Sequence, residues 1–363
     1  MALFIIKFAG LTLTEFNFVA FRFLPAIILS FSIFLVEKPK IVRQEAFFFL
    51  VPALIAIIYG FLDSQTYLYP IAWILLVLPF LFISRNGVDR LAINSIYSLC
   101  IRGIILLALG IAFIQPEKAF TSCRSDKCNV LGLVFAPEGN QSNVFSLTLG
   151  LLVALIDFKK SYLWIITNAL CLISLAEFSG GRSGTIAGLG CLASIAILKL
   201  TGGRISKTYL TFLASLCFFS LIPVFFTFNP TSFTGRASLW IKAKQLIGES
   251  ILFGHGASFW IRTPATFEFR ANYSPHNMWL EILVSTGLFG LVCLSIAILI
   301  STMKCDKSIR PFALSLFSGL FVAGFSESMV MPYRLIISPG YFLMFICLTS
   351  SRSAYQRVEK SDG

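Results

Sequence analysis

Three residues stand at positions where their chemistry could be put to use: His276, Arg182 and Arg236. His276 is one of only two histidines in the chain. It follows Ser274-Pro275, where Ser274 can cap a helix and Pro275 suits the first helical position. The spacing predicts His276 in the first turn of an apolar helix. The positive end of the helix dipole there favours the neutral imidazole, which can accept a proton as a general base. The alternative is a capping or interfacial histidine. Arg182 lies in FSGGRSG, where a guanidinium between glycines makes a fork for phosphate or pyrophosphate; a snorkelling arginine at a helix end is the other reading. Arg236, in TGRASLW, begins a predicted helix and could strengthen an anion site there, or be solvated.

Around these stand weaker candidates. Lys242 and Lys244 could hold an anionic lipid head group, or form a solvated face. Trp240, Phe259 and Trp260 could stack on sugar rings, or anchor the chain at a membrane interface. His255 reads as a loop residue, and Arg262, Arg270 and Arg334 are no stronger. Glu281 falls inside an apolar run and needs a polar partner; it lies about a turn and a half from His276, a poor position for orienting it. Glu177 and Glu327 fall near the ends of runs.

The elements that must position these residues are membrane spans. Of 363 residues, 57% are hydrophobic and 13% charged, where a soluble domain carries about a quarter charged. The mean hydropathy is +0.84. Phenylalanine occurs 38 times, which suits lipid-facing positions. Apolar runs long enough to cross a bilayer fall at about 16–36, 46–61, 67–83, 95–114, 141–157, 161–178, 184–200, 208–227, 276–302, 311–326 and 333–350. A shorter run at 3–14 holds Lys7. The start has no basic region typical of a cleavable leader. The expected fold is an all-α polytopic membrane protein with about 11 (10–12) transmembrane helices in a single domain, 1–363.

The net charge of +12 sits mostly in short loops, so it signals orientation rather than nucleic acid. Lys38, Lys40 and Arg43; Arg85 and Arg90; Lys159 and Lys160; Lys199, Arg204 and Lys207; Lys304, Lys307 and Arg310; and the tail residues Arg352, Arg357 and Lys360 fall on one side if the spans alternate. That side is expected to be cytoplasmic, the C-terminus included. The opposite side holds a loop at 115–140, a short turn near 179–184 and a long loop at about 228–275. In a Gram-negative host it is the periplasm, where a Cys123–Cys128 disulfide could persist; two free thiols are the alternative. The nine cysteines contain no C-x-x-C, so no metal site is expected. Within 228–275, Leu239, Trp240, Ala243, Leu246 and Ile247 recur at helical spacing. They predict an amphipathic helix lying in the membrane interface, stopped near Gly248 and followed by the turn FGHGASFW. Gly287 and Gly290 would let another helix approach closely.

The stretch TGRASLWIKAKQLIGESILFGHGASFW, followed by SPHNMWLEILVSTGLFGL, resembles the O-antigen ligase and Wzy-type polysaccharide polymerase superfamily. His276-Asn277, nine residues, then Gly287-x-x-Gly290 fits its H-[NSQ]-x9-G-x-x-[GTY] pattern, and GGRSG around Arg182 matches a further motif. The turn is similar to that of succinoglycan-type exopolysaccharide polymerases. Ile251 stands where the family often has proline, and Ser285 where an acidic residue is common. The resemblance covers about 178–300.

It implies a GT-C-like membrane glycosyltransferase of the inner membrane, without metal or cofactor, acting at the periplasmic face. The donor would be an undecaprenyl-diphosphate-linked glycan. The acceptor would be another glycan for a polymerase, or lipid A-core for a ligase. His276, Arg182 and Arg236 would be catalytic, and Lys242, Lys244, Trp240, Trp260 and Asn277 would bind substrate. Membrane lipids and a chain-length regulator would be partners. A lipid-linked glycan flippase is the competing class, but the polar residues cluster at one side rather than at paired broken helices near the midplane.

Overall fold

A computed structural model describes residues 182–233, 235–256, 259, 275–304 and 310–327. It also describes scattered residues of three earlier helical stretches within 50–59, 110–116 and 163–170, and four two-residue strands. The remaining expected spans, Trp260, Arg262, Arg270, Arg334, Glu177, Cys123 and Cys128 lie outside the described residues.

Five helices carry the described fold: α1 (Arg182–Leu200), α2 (Lys207–Phe225), α3 (Arg236–Glu249), α4 (Met278–Lys304) and α5 (Arg310–Gly324). They correspond to the runs expected at 184–200, 208–227, 276–302 and 311–326, plus the helix expected after Arg236. Among the described residues, α2 and α4 are long and apolar enough to cross a bilayer. An all-α chain needs no strands, yet two short antiparallel pairs occur. Ile41–Val42 pairs with Phe82–Ile83, and Phe120–Thr121 pairs with Val130–Leu131. The second pair falls within the stretch where a loop is expected, 115–140.

α1 and α5 pack closely, running in opposite directions. Gly190 permits it: a Cβ there would stand 2.9 Å from Val322 Cγ2. Further along, the Cys191 thiol donates to the Ser315 carbonyl, and buried Ser194 and Tyr209 hydroxyls pair at 2.8 Å, tying α1 to α2. Small and hydroxylated residues thus occupy the contacts between apolar helices, as expected where lipid supplies no hydrophobic drive to associate. The alternation of directions has a plain result. Lys199, Arg204, Lys207, Lys304 and Arg310 gather at one end of the helices, and Arg182, Arg236 and the start of α4 at the other.

Two expectations about elements need correction. α3 is amphipathic, but its apolar face is not available to a membrane surface. Ala237, Trp240, Ala243 and Leu246 form one core with Leu280 and Val284 of α4. Protein, not lipid, covers that face. Gly248 is not the stop either, since the helix runs to Glu249 and ends on Ser250.

The second correction concerns α4. It is broken at Gly287, whose φ of 64° and ψ of −168° are non-helical. Helical bonds from Leu288 to Val284 and from Phe289 to Ser285 are therefore lost. The turn after α3 replaces all four groups. His255 N–H donates to Val284 O (2.7 Å) and Gly256 N–H to Ser285 O (3.0 Å), while Leu288 N–H donates to Ile251 O (2.8 Å) and Phe289 N–H to Leu252 O (3.1 Å). Glycine is required at the break, because a Cβ on Gly287 would collide with the Leu252 carbonyl. Gly287 thus admits a turn rather than a neighbouring helix.

Candidate functional site

The site is built at the junction of α3, α4 and the end of α5. α5 ends at Gly324, and the chain turns through Ser326 to Glu327, whose N–H donates to Ala323 O (2.8 Å). Glu327 receives two partners from distant parts of the chain. Arg236, at the start of α3, donates from one guanidinium nitrogen to Glu327 Oε1 (2.9 Å) and from the other to the Ser326 carbonyl. His276 Nδ1 lies 3.1 Å from Glu327 Oε2. One carboxylate therefore bridges Arg236 and His276, two of the three expected catalytic residues.

The cluster is largely enclosed: the side chains of Arg236, His276 and Glu327 are 25%, 24% and 14% exposed. Burial pushes the Glu327 carboxyl up, but the His276 hydrogen bond and the Arg236 charge outweigh it and hold it below the ordinary carboxylate value. An ionised carboxylate only accepts hydrogen bonds. Nδ1 must then carry the proton, which leaves Nε2 as the basic ring nitrogen. The expected influence on this imidazole was a helix dipole; here a carboxylate fixes its tautomer.

His276 is also not in the first helical turn. α4 starts at Met278, and Asn277 is its N-cap: Oδ1 accepts from Trp279 N–H (3.2 Å) and Leu280 N–H (3.1 Å). His276 precedes the cap with φ at 48°, a left-handed conformation uncommon outside glycine. Its neighbours hold it there. The Pro275 carbonyl accepts from Trp240 Nε1–H at 2.7 Å. The Asn277 amide donates to the carbonyls of Ser220 (3.1 Å), Gly324 (3.0 Å) and Phe325 (3.2 Å). Backbone strain persists only where the surroundings over-determine it, and here they do so from both sides.

Three expected binding residues are accordingly reassigned. Asn277 is wholly buried and spends both ends of its amide on the fold. Trp240 is 1% exposed and packed among Phe228, Phe233 and Phe325, so no sugar ring can stack on it here. Lys244 Nζ donates to Phe226 O at 2.6 Å, and partial burial lowers its pKa; its ammonium helps tie α3 to the end of α2. Lys242 stands half-buried on the opposite flank of α3. Phe259 packs near the α3 core and against His255. The His255 Nε2 lies 2.8 Å from the Leu246 carbonyl, near the end of α3. Arg182 opens α1, and the antiparallel packing of α1 on α5 brings it to the same end as Glu327.

The carboxylate that unites the site was among the undetermined acids in the sequence. The only signal for Glu327 was an ionisable residue at the end of an apolar run, which demands a partner. Glu281, by contrast, is buried inside α4, with the Ser285 hydroxyl 3.5 Å from its Oε1.

Among the described residues, the fold is helical with two helices long and apolar enough to cross a bilayer, and an imidazole and a guanidinium meet on one carboxylate at one end of the helices. Residues 142–295 match the family model described as O-antigen ligase, and that stretch supports the resemblance to the O-antigen ligase/Wzy-type superfamily. The match contains Arg182, Arg236, His276 and Gly287, and Glu327 lies beyond it. No curated protein matches the chain.

Proposed function

We propose that the protein is a membrane glycosyltransferase that polymerises undecaprenyl-diphosphate-linked repeat units at the periplasmic face of the bacterial inner membrane. The observation that carries this reading is the Arg236–Glu327–His276 cluster, at the helix ends opposite the basic loops. The acceptor hydroxyl attacks the anomeric carbon as the bond to the diphosphate oxygen breaks. His276 Nε2 takes the hydroxyl proton, and Glu327 orients the ring and stabilises the imidazolium. The departing diphosphate carries the electron pair away. Arg182 and Arg236 neutralise the charge that develops on it. A guanidinium has five N–H donors, so the contacts of Arg236 with Ser326 and Glu327 leave it able to meet a phosphate oxygen as well. Lys242 and Trp260 remain candidate contacts for the lipid-linked donor, and a chain-length regulator a candidate partner.

Transfer to lipid A-core is the second reading, favoured by the description of the matching family. Deletion in the host separates the two on a gel of surface glycan. Loss of a polymerase leaves single repeats on the acceptor; loss of a ligase leaves none attached. Complementation by His276→Ala, Arg182→Ala or Arg236→Ala is expected to fail while the protein still reaches the membrane. Full rescue by all three would overturn the site.

A further inference from the structure

We propose that residues 236–256 form a re-entrant element whose tip, Ile251-Leu252-Phe253, is embedded in bilayer hydrocarbon. The stretch does not cross an aqueous loop at the membrane surface. α3 begins beside His276 and runs parallel to the first part of α4. The contacts progress in step, from Trp240 on Pro275, through Ala243 and Leu246 beside Leu280 and Val284, to Ile251 on Leu288. α3 therefore leads inward from the site to the break in α4. Gly287 lies about 26 Å along the helix from Lys304 at 1.5 Å per residue. With Lys304 at the far boundary, that depth falls inside a hydrocarbon layer about 30 Å thick.

Irregular backbone at such depth must have its polar groups satisfied by protein, and much of the backbone on either side of the tip is paired in this way. Its Ile251 and Leu252 carbonyls and its His255 and Gly256 amides pair with the groups freed in α4. The Gly254 carbonyl accepts from Tyr59 Oη–H (2.9 Å) and Ser250 Oγ–H (2.8 Å). The side chains complete the case. Ile251, Leu252 and Phe253 are each more than half exposed, and they continue directly into exposed Leu288, Phe289 and Val292 on an apolar span. Phe253 and Phe289 lie with ring centroids 5.8 Å apart. A patch of this kind, continuous with a lipid-facing helix surface, fits acyl chains. The opposite flank of α3 presents Lys242, Gln245 and Glu249 at helical spacing, so that flank faces water or a polar substrate. The proposal rests on the chain spanning a membrane and not on the glycan chemistry.

Spin labels at Leu252→Cys and Gln245→Cys in the full chain, reconstituted in phospholipid vesicles, test it without reference to activity or sidedness. Each spectrum is taken as the difference from the unsubstituted chain, because native cysteines remain. At Leu252, collision with oxygen is expected to exceed collision with a water-soluble nickel chelate several-fold, and at Gln245 the order is expected to reverse. Nickel access at Leu252 equal to that at Gln245 would overturn the embedding. Phe253→Cys gives the same reading should Leu252→Cys not fold.

Discussion

Glu327 faces a guanidinium and an imidazole at once, and its removal leaves both groups in a largely enclosed space. Glu327→Gln keeps the shape but removes the charge that fixes the tautomer of His276. We expect transfer to fall on the order of 10²-fold, within the range of general acid–base contributions, with the pH profile displaced. Glu327→Asp should recover part of the rate, which a purely structural role would not require. The sign of the pH effect on stability follows from the direction of the shift. The folded carboxyl is held below its ordinary value, so its contribution is present above the unfolded value of about 4.3 and is lost as pH falls through the lower folded value. Thermal unfolding in detergent at descending pH should therefore show wild type losing stability that the Gln variant never had. A parallel loss in both would remove Glu327 from that role. At this scale Arg236 carried a local signal, a helix start, while the cap motif read at Ser274-Pro275 drew attention to His276 but misplaced it, since Asn277 is the cap. Their partner was not legible, since a contact between residues 51 apart in number has no local signature.

The break in α4 and the turn that fills it form one element, although they are 30 or so residues apart along the chain. Gly287 sits in a φ/ψ region that is essentially closed to other residues, at a cost of about 1–3 kcal/mol for those that enter it. Its Cβ would also meet the Leu252 carbonyl and the Phe253 amide. Gly287→Ala should accordingly yield little monodisperse protein on detergent size-exclusion chromatography. Gly254→Ala should behave alike, because its Cβ would stand 2.6 Å from Val284 O. Gly248 is the internal control: it is helical, and a Cβ there meets nothing within 4 Å. Gly248→Ala is expected to be neutral or to stabilise by up to about 1 kcal/mol. Normal yield from Gly287→Ala would show that the four exchanged hydrogen bonds do not depend on the break. The helices themselves could be read from apolar length, and α3 from its periodicity. What periodicity could not show was which surface receives the apolar face of α3. Lipid and Leu280 are equally apolar partners for Trp240, and only the packing chooses between them.

At the scale of the whole molecule, the distribution of charge and the location of the site can be set against each other. Short loops rich in lysine and arginine stay on the cytoplasmic side, and the described helices put Lys199, Arg204, Lys207, Lys304 and Arg310 together at one end. The Arg236–Glu327–His276 cluster occupies the other end, so a single orientation satisfies both the loops and a donor presented outside the cytoplasm. For the described helices, the gathering of these five residues at one end was legible from sequence, because alternation along the chain suffices to sort loops between two sides. The depth proposed for residues 236–256 was not legible, because composition alone does not distinguish a surface loop from a re-entrant one. Truncated fusions measure the sidedness directly. A green fluorescent protein joined after Gly203 should fluoresce and an alkaline phosphatase there should be inactive. Joined after Thr231, in the exposed turn before α3, the two reporters should exchange behaviour. The reverse pattern at both positions would turn His276 toward the cytoplasm, and a periplasmic transfer reaction could not then be assigned to this site.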